Sequence, residues 1–407
     1  MGIKNFSQTF GKGEQIKFSE LKDSNVYVDA FCQIYYYMKA SDHYKNSEGK
    51  ITTHIYKCFM LAIKLKKYLE SGNQVWIFDL PKRNSDTLKS KEKEKRKKVK
   101  EETMKKIGIL EEKQDKTEEE VGNMNYLKNS TILPKGCIRE VKEMLSLLRI
   151  PYFDSKEEAE SSCAYLAKND TRKAFVFSED TDSFVFGAPL FIRRIKKKTN
   201  HLACYDYKKI TEEYNLTQEA IAKIAVILGC DFSEKTKGIG PKTVLKKYKN
   251  VELNEEQQKA YNYFLSVDNM KNSILYFGSK RKKIKLNEAH NFIPDRPEKI
   301  NFNGLKMFLS ERDIDIDKYI TKKLNKSIQG YENKKAYDEP IQNYDKESDN
   351  KGLKQEIEED LQEDLQDDLQ EDLQDDLQED LQEDLQDDLQ DDKNDFERGV
   401  DMSEIYD

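Results

Sequence analysis

Apolar residues in this chain fall into short, dense runs separated by helical periodicity. Val26-Tyr27-Val28 and Val75-Trp76-Ile77-Phe78 are contiguous apolar runs that predict buried strands, and between them residues 52–69 repeat apolar positions at helical spacing. Each run ends in an aspartate, Asp29 and Asp79. Two parallel strands joined by a crossover helix would carry both carboxylates to the carboxyl end of a sheet, where α/β proteins place their sites. The alternation resumes with a helix over 138–148, the segment Ile150-Pro151-Tyr152-Phe153, a helix over 157–167 and the strand Ala174-Phe175-Val176-Phe177. A helix over 218–228 runs into Gly229-Cys230-Asp231, and Gly238-Ile239-Gly240-Pro241-Lys242 opens another. The pattern predicts an α/β fold with a central, mostly parallel sheet flanked by helices, whose folded part ends near Gly330.

Two stretches break this pattern. Residues 81–131 contain the run from Lys89 to Lys98, in which nine of ten residues are charged, and read as a solvated helical insertion or as a basic localisation signal. Beyond Asp360 a tetrapeptide Asp-Leu-Gln-acid repeats, with leucines every fourth residue from Leu361 to Leu389. A spacing of four drifts by about 40° per repeat around a helix, so the leucines form no seam and a disordered acidic tail is expected. The chain thus divides into an N-terminal region (1–100), a charged helical insertion (101–135), an internal region (136–253), a C-terminal part of the body (254–330) and the tail (331–407).

Charge sharpens the division. The net charge of −7 conceals a tail from residue 351 onward at −21 and a body over 1–350 at +14. A basic body suits a polyanion, with nucleic acid the first candidate, and the tail is expected either to be a solvating appendage or to compete with DNA for that body. The six cysteines show no zinc-ligand spacing, and no apolar run reaches transmembrane length. A soluble intracellular protein is expected, in a nucleus or at a cytoplasmic replication site.

The chemistry resides in acids. Asp29, Asp79, Glu158, Glu160, Asp180, Asp182 and Asp231 all fall at predicted strand ends or helix starts. Singly each reads as a surface or capping residue; together they converge only if a cation offsets their repulsion. Hard oxygen donors without His or Cys suit Mg²⁺ or Mn²⁺, and a pair of such ions supports phosphoryl transfer to water. None of His43, His54, His201 or His290 accompanies these motifs, which disfavours a histidine base.

At these residues the chain resembles the XPG nuclease family, flap endonuclease type. The resemblance rests on Met1-Gly2-Ile3, Val28-Asp29-Ala30 with Ile34-Tyr35, Phe78-Asp79, Glu158-Ala159-Glu160, Glu179-Asp180-x-Asp182, Gly229-x-Asp231 and Gly238-Ile239-Gly240-Pro241-Lys242, in order from residue 1 to about 250. It implies a PIN-like flap nuclease fold with a helical arch and a helix-two-turn-helix element. It also implies one metal group of Asp29, Asp79, Glu158 and Glu160 and a second of Asp180, Asp182 and Asp231, holding two Mg²⁺. Lys89 and Arg96 match the arch residues that contact the scissile phosphate. Gly2, Tyr35, Gly238, Gly240 and Lys242 match DNA-contacting positions, Tyr35 by stacking on a base and the glycine hairpin with a K⁺. The implied substrate is branched or flapped DNA, cut at 5′ flaps by a monomer, with an exonuclease-like relative or a non-catalytic junction binder as alternatives. The chain departs from the family at Leu80, where a glycine is usual, and at Asp42, where a base is frequent. The sliding-clamp motif expected after Gln329-Gly330 is absent, which leaves clamp binding open.

Overall fold

The computed structural model describes residues 2–39, 43–80, 90–113, 136–195, 198–295 and 300–315, with a few isolated positions between 115 and 134. Lys89, Asp42, Gly330 and the acidic tail lie outside the described residues. One sheet organises the fold. Its nine strands are β1 (Glu14–Lys17), β2 (Asn25–Asp29), β3 (Gln74–Asp79), β4 (Tyr152–Ser155), β5 (Ala174–Phe177), β6 (Leu190–Ile195), β7 (Lys198–Asp206), β8 (Ile274–Phe277) and β9 (Lys282–Lys285), in the spatial order β1-β7-β6-β5-β2-β3-β4-β8-β9.

The expectation of a mostly parallel sheet holds only for the middle. β6-β5-β2-β3-β4 are mutually parallel, whereas β1-β7-β6 at one side and β4-β8-β9 at the other are antiparallel. The cause lies in burial. Central strands are covered on both faces and must be apolar throughout, so they read as dense runs. Edge strands β1 and β9 each bury a single residue, Ile16 and Ile284, among charged neighbours, and so carry no legible strand pattern.

Alternation along the central strands divides the core in two. Tyr27, Val75, Ile77 and Val176 face one cluster, completed by α1 (Phe6–Phe10), α6 (Ala159–Lys168), α7 (Asp182–Val185), α9 (Gln218–Leu228), α10 (Pro241–Lys247) and α11 (Glu255–Leu265). Val26, Val28, Trp76, Phe78, Phe175 and Phe177 face the other, completed by α2 (Ala30–Met38), α3 (Thr53–Leu69), α5 (Cys137–Leu147) and α12 (Phe302–Ser310). The remaining helices are α4 (Ser90–Glu112), the charged insertion, and α8 (Tyr207–Tyr214). No described helix is long and apolar enough to cross a membrane.

The chain builds β2, β3 and β4 outward in one direction, then returns to lay β5 on the other side of β2. The two connections leaving β2 and β5 therefore diverge at their carboxyl ends and open a crevice, the topological switch point at which α/β sheets bind ligands. Asp29 closes β2 and Asp180 follows β5 by three residues, so both stand at that crevice.

Candidate metal centre

Backbone geometry delivers the acids one by one. Asp29 ends β2 and caps α2, its Oδ1 accepting from the Cys32 N–H at 3.2 Å. Asp79 ends β3 and accepts at Oδ1 from the Ala159 N–H at 2.5 Å, so it sits on the N-terminus of α6. Glu158 is the N-cap residue of that helix and Glu160 lies in its first turn, where the positive end of the helix dipole favours carboxylates. Ligand oxygens of Asp79, Glu158 and Glu160 lie within 4.8 Å of one another, a spacing that fits a shared hard cation.

Ser178 connects this group to the next. Its hydroxyl donates to Asp29 Oδ2 at 2.7 Å and accepts from the Asp180 N–H at 2.9 Å, bridging the crevice between β2 and β5. Burial pushes the Asp29 carboxyl well above its ordinary value, and the charges of Glu160 and Asp180 push the same way against the Ser178 and Cys32 hydrogen bonds. Asp29 thus feels both groups at once. A buried carboxyl in that position is stabilised as an anion only when positive charge is added.

The N-terminus assembles the second group. Gly2 has φ +85°, and its N–H donates to Asp231 Oδ1 at 3.2 Å. A Cβ at Gly2 would collide with Asp180 Oδ1 and Thr181 Oγ1 and would lie 2.9 Å from the Asp182 nitrogen, so only glycine fits between these acids. The Ile3 N–H donates to Thr181 Oγ1 at 2.7 Å and the Lys4 N–H to the Gly229 carbonyl at 3.0 Å, which ties the segment to the turn carrying Asp231. Asp182 is fully buried in the first turn of α7, its backbone N–H bonded to Asp180 Oδ1 at 2.9 Å.

Contacts link the acids in two sets, Asp79, Glu158 and Glu160 in one, and Asp180, Asp182 and Asp231 around the Gly2 segment in the other, with Asp29 in contact with both through Glu160, Ser178 and Asp180. Asp79, Glu158 and Glu160 meet most closely, and Asp29 joins them through its electrostatic contact with Glu160. Sequence reading missed Ser178 and Thr181, which touch the acids through hydroxyls. Their signal was available in the spacing of Ser178-Glu179-Asp180-Thr181-Asp182, where short polar side chains can reach backbone two residues away.

Other expected residues fare differently. Tyr35 is 2% exposed, its ring 6.5 Å from that of Phe31 and turned into the core on α2. It offers no open ring for stacking in this structure. The exposed ring is Tyr36, 39% accessible, with the Arg194 guanidinium 4.4 Å from its centroid. Arg194 is held by Glu179 at 2.9 Å, next to Asp180. Arg96 lies on α4, and its side chain, like Lys89, falls outside what the structure describes. Gly238 is exposed with φ +78°, Gly240 caps α10, and Lys242, Lys246 and Lys247 are exposed on that helix.

Comparison with known proteins agrees with this geometry. The XPG I-region model matches residues 149–231, which contain Glu158, Glu160, Asp180, Asp182 and Asp231. The chain is 29% identical over 320 residues to flap endonuclease 1 of Methanococcus aeolicus, covering 77% of this chain and 90% of that protein. It is 30% identical over 254 residues to flap endonuclease 1 of Methanobrevibacter smithii, covering 60% and 74% respectively. The solved flap endonuclease-1 from Methanococcus jannaschii superposes with a TM-score of 0.53 at 22% identity, over 78% of this chain and 97% of that one, and bears out the fold. With its carboxylate crevice at the sheet's switch point, the chain belongs to the XPG nuclease family, in its flap endonuclease group.

Proposed function

We propose that this protein is a structure-specific endonuclease that hydrolyses DNA phosphodiester bonds at 5′ flaps and trims 5′ ends, with Mg²⁺ as cofactor and Mn²⁺ as a substitute. The observation that carries the reading is the cluster of Asp79, Glu158 and Glu160, whose ligand oxygens lie within 4.8 Å of one another, with Asp29 feeling the charges of both Glu160 and Asp180. Hard oxygen donors, an aspartate whose charged form is penalised, and ligand atoms within 4.8 Å fit Mg²⁺-type ions and exclude a soft-metal site. Divalent ions bound there would stabilise charge on the scissile phosphate and make water a nucleophile at neutral pH.

The chain's own residues do the rest. Asp79, Glu158, Glu160 and Asp29 would hold one ion, and Asp180, Asp182 and Asp231 the other. Ser178 and the Gly2 N–H fix carboxylate orientation. Lys89 and Arg96, seven apart in the sequence, would bind the phosphate as negative charge grows on it. Gly238, Gly240 and Lys242 would hold duplex backbone, with a K⁺ at the hairpin, and phosphate contacts of this kind read shape instead of sequence. A monomer acting on replication or repair intermediates, in a nucleus or at a replication site, accords with the charge of the body.

The test is cleavage of a 5′ flap, a bubble and a blunt duplex in Mg²⁺. A flap endonuclease cuts the flap near the junction, an exonuclease-like relative degrades the duplex end, and a junction binder cuts nothing, which would refute the proposal.

A further inference from the structure

The two margins of the sheet carry very different surfaces. On the β4 side, the hairpin β8-β9 places Lys280, Arg281, Lys282, Lys283 and Lys285 within six positions, all exposed, with Ile284 alone turned inward. Among the described residues none of the five side chains is held in an ion pair. Two rest on rings instead, Arg281 at 5.1 Å from the Tyr276 centroid and Lys282 at 4.6 Å from that of Phe292. Such contacts orient a cation while leaving its charge unneutralised.

Register locates the row relative to the crevice. β8 pairs with β4 through Ser155↔Leu275, and the Lys156 N–H donates to the Ile274 carbonyl at 3.2 Å. Ile274 pairs in turn with Lys285, which puts Lys285 level with Lys156, two residues before Glu158. Lys283 follows on the same face of the strand, a two-residue step of roughly 7 Å further from the crevice. β9 lies two strands, roughly 10 Å, from β4. Toward the other end of the strand order, α10, with Lys242, Lys246 and Lys247, packs against α1, whose Phe6 ring meets Phe191 of β6 and Tyr205 of β7. The carboxylates stand between two basic elements.

We propose that the β8-β9 hairpin is a phosphate-binding strip that holds the backbone of the DNA substrate on the side of the cut opposite α10. The proposal rests on the reading of this chain as a DNA nuclease. Closely spaced, unpaired cations on a protruding edge bind a polyanion by releasing its counterions, without reading bases. Lysines on an edge strand also prevent two sheets from pairing, but that role requires only charge, of either sign. Charge reversal therefore separates the two roles.

The experiment measures binding of a fluorescent 5′-flap duplex by anisotropy across a salt series, in the full-length chain carrying Asp180→Ala. Adding Lys280→Gln, Arg281→Gln, Lys283→Gln and Lys285→Gln should weaken binding about tenfold or more near 100 mM salt and lower the slope of log K against log salt by about 3. Lys283→Glu with Lys285→Glu, which keeps the edge charged, should weaken it further. In the otherwise native enzyme the Gln variant should keep its single-turnover rate at saturating protein. Unchanged affinity and slope in variants that retain the parent melting temperature would overturn the strip and leave only the anti-pairing role. If the quadruple variant does not fold, Lys283→Glu alone carries the same comparison. Loss of binding in variants of a chain that cuts no DNA would support the strip and sink the nuclease reading, so the two fail separately.

Discussion

Two buried carboxylates in this molecule meet opposite fates. Glu140, on α5, is almost covered, and its oxygens meet Lys50 Nζ at 2.8 Å, the His54 ring at 2.9 Å and an Arg312 amino group at 3.2 Å. Burial alone would raise its pKa, yet the hydrogen bonds and charges of His54 and Lys50 overcome that and hold it down at about 2. Asp29 is equally covered, but its charged neighbours are Glu160 and Asp180, and its carboxyl is pushed up instead. Glu140 has its countercharge built into the chain and ties α3, α5 and the segment after α12 together. Asp29 instead has two acids, Glu160 and Asp180, as the charges that act on it. The first arrangement is a structural joint and the second the binding site proposed above, and burial by itself does not tell them apart.

The sharpest break in this comparison comes from removing one acid of each kind. Asp180→Ala should lower single-turnover cleavage on the order of 10³-fold or more while leaving flap affinity within a few-fold, because the lost contacts act on charge that develops during reaction. Full activity would refute the metal assignment. Gly2→Ala should follow with a loss of about 10- to 100-fold, since its methyl group would displace Asp180 and Thr181 as an orienting neighbour does at other metal sites. Rates equal to the native enzyme would show that the N-terminal segment does not set the carboxylates.

Stability should move in opposite directions at the two places. In chelator, Glu140→Gln should destabilise the fold by about 1–3 kcal/mol in urea melts, because Lys50 and Arg312 lose their countercharge. Asp29→Asn relieves repulsion and keeps the α2 cap, so it should leave stability unchanged or raise it by up to about 1 kcal/mol. A comparable loss from both would erase the distinction. The smallest effect is in pH. Glu140 has a folded value of about 2 below its ordinary 4.5, so its stabilisation is fully present above about pH 4.5 and is lost as pH falls through about 2. Glu140→Gln should flatten that part of the acid-unfolding profile, and an unaltered slope would contradict the pairing.

The same contrast explains what the sequence allowed to be read. Strands β2, β3 and β5 were legible because two-sided burial demands unbroken apolar runs, and their terminal acids followed from parallel geometry. The metal acids were legible as pairs and strand ends. The Glu140 joint was not, because Lys50, His54, Glu140 and Arg312 come from four distant places and each looks ordinary alone. β9 was missed because three lysines with one isoleucine have the composition of a loop. The burial of Tyr35 was not legible, because a family position carries no information on which way α2 turns that ring.

The most direct test of the central claim is single-turnover cleavage of a 5′-flap duplex by the native chain, titrated with Mg²⁺ from a chelated start. The account predicts no cleavage in chelator and a rate that rises with Mg²⁺ to a plateau, with the cut near the junction. Cleavage at the same rate in chelator, or none on any branched DNA at any Mg²⁺ concentration, would contradict it.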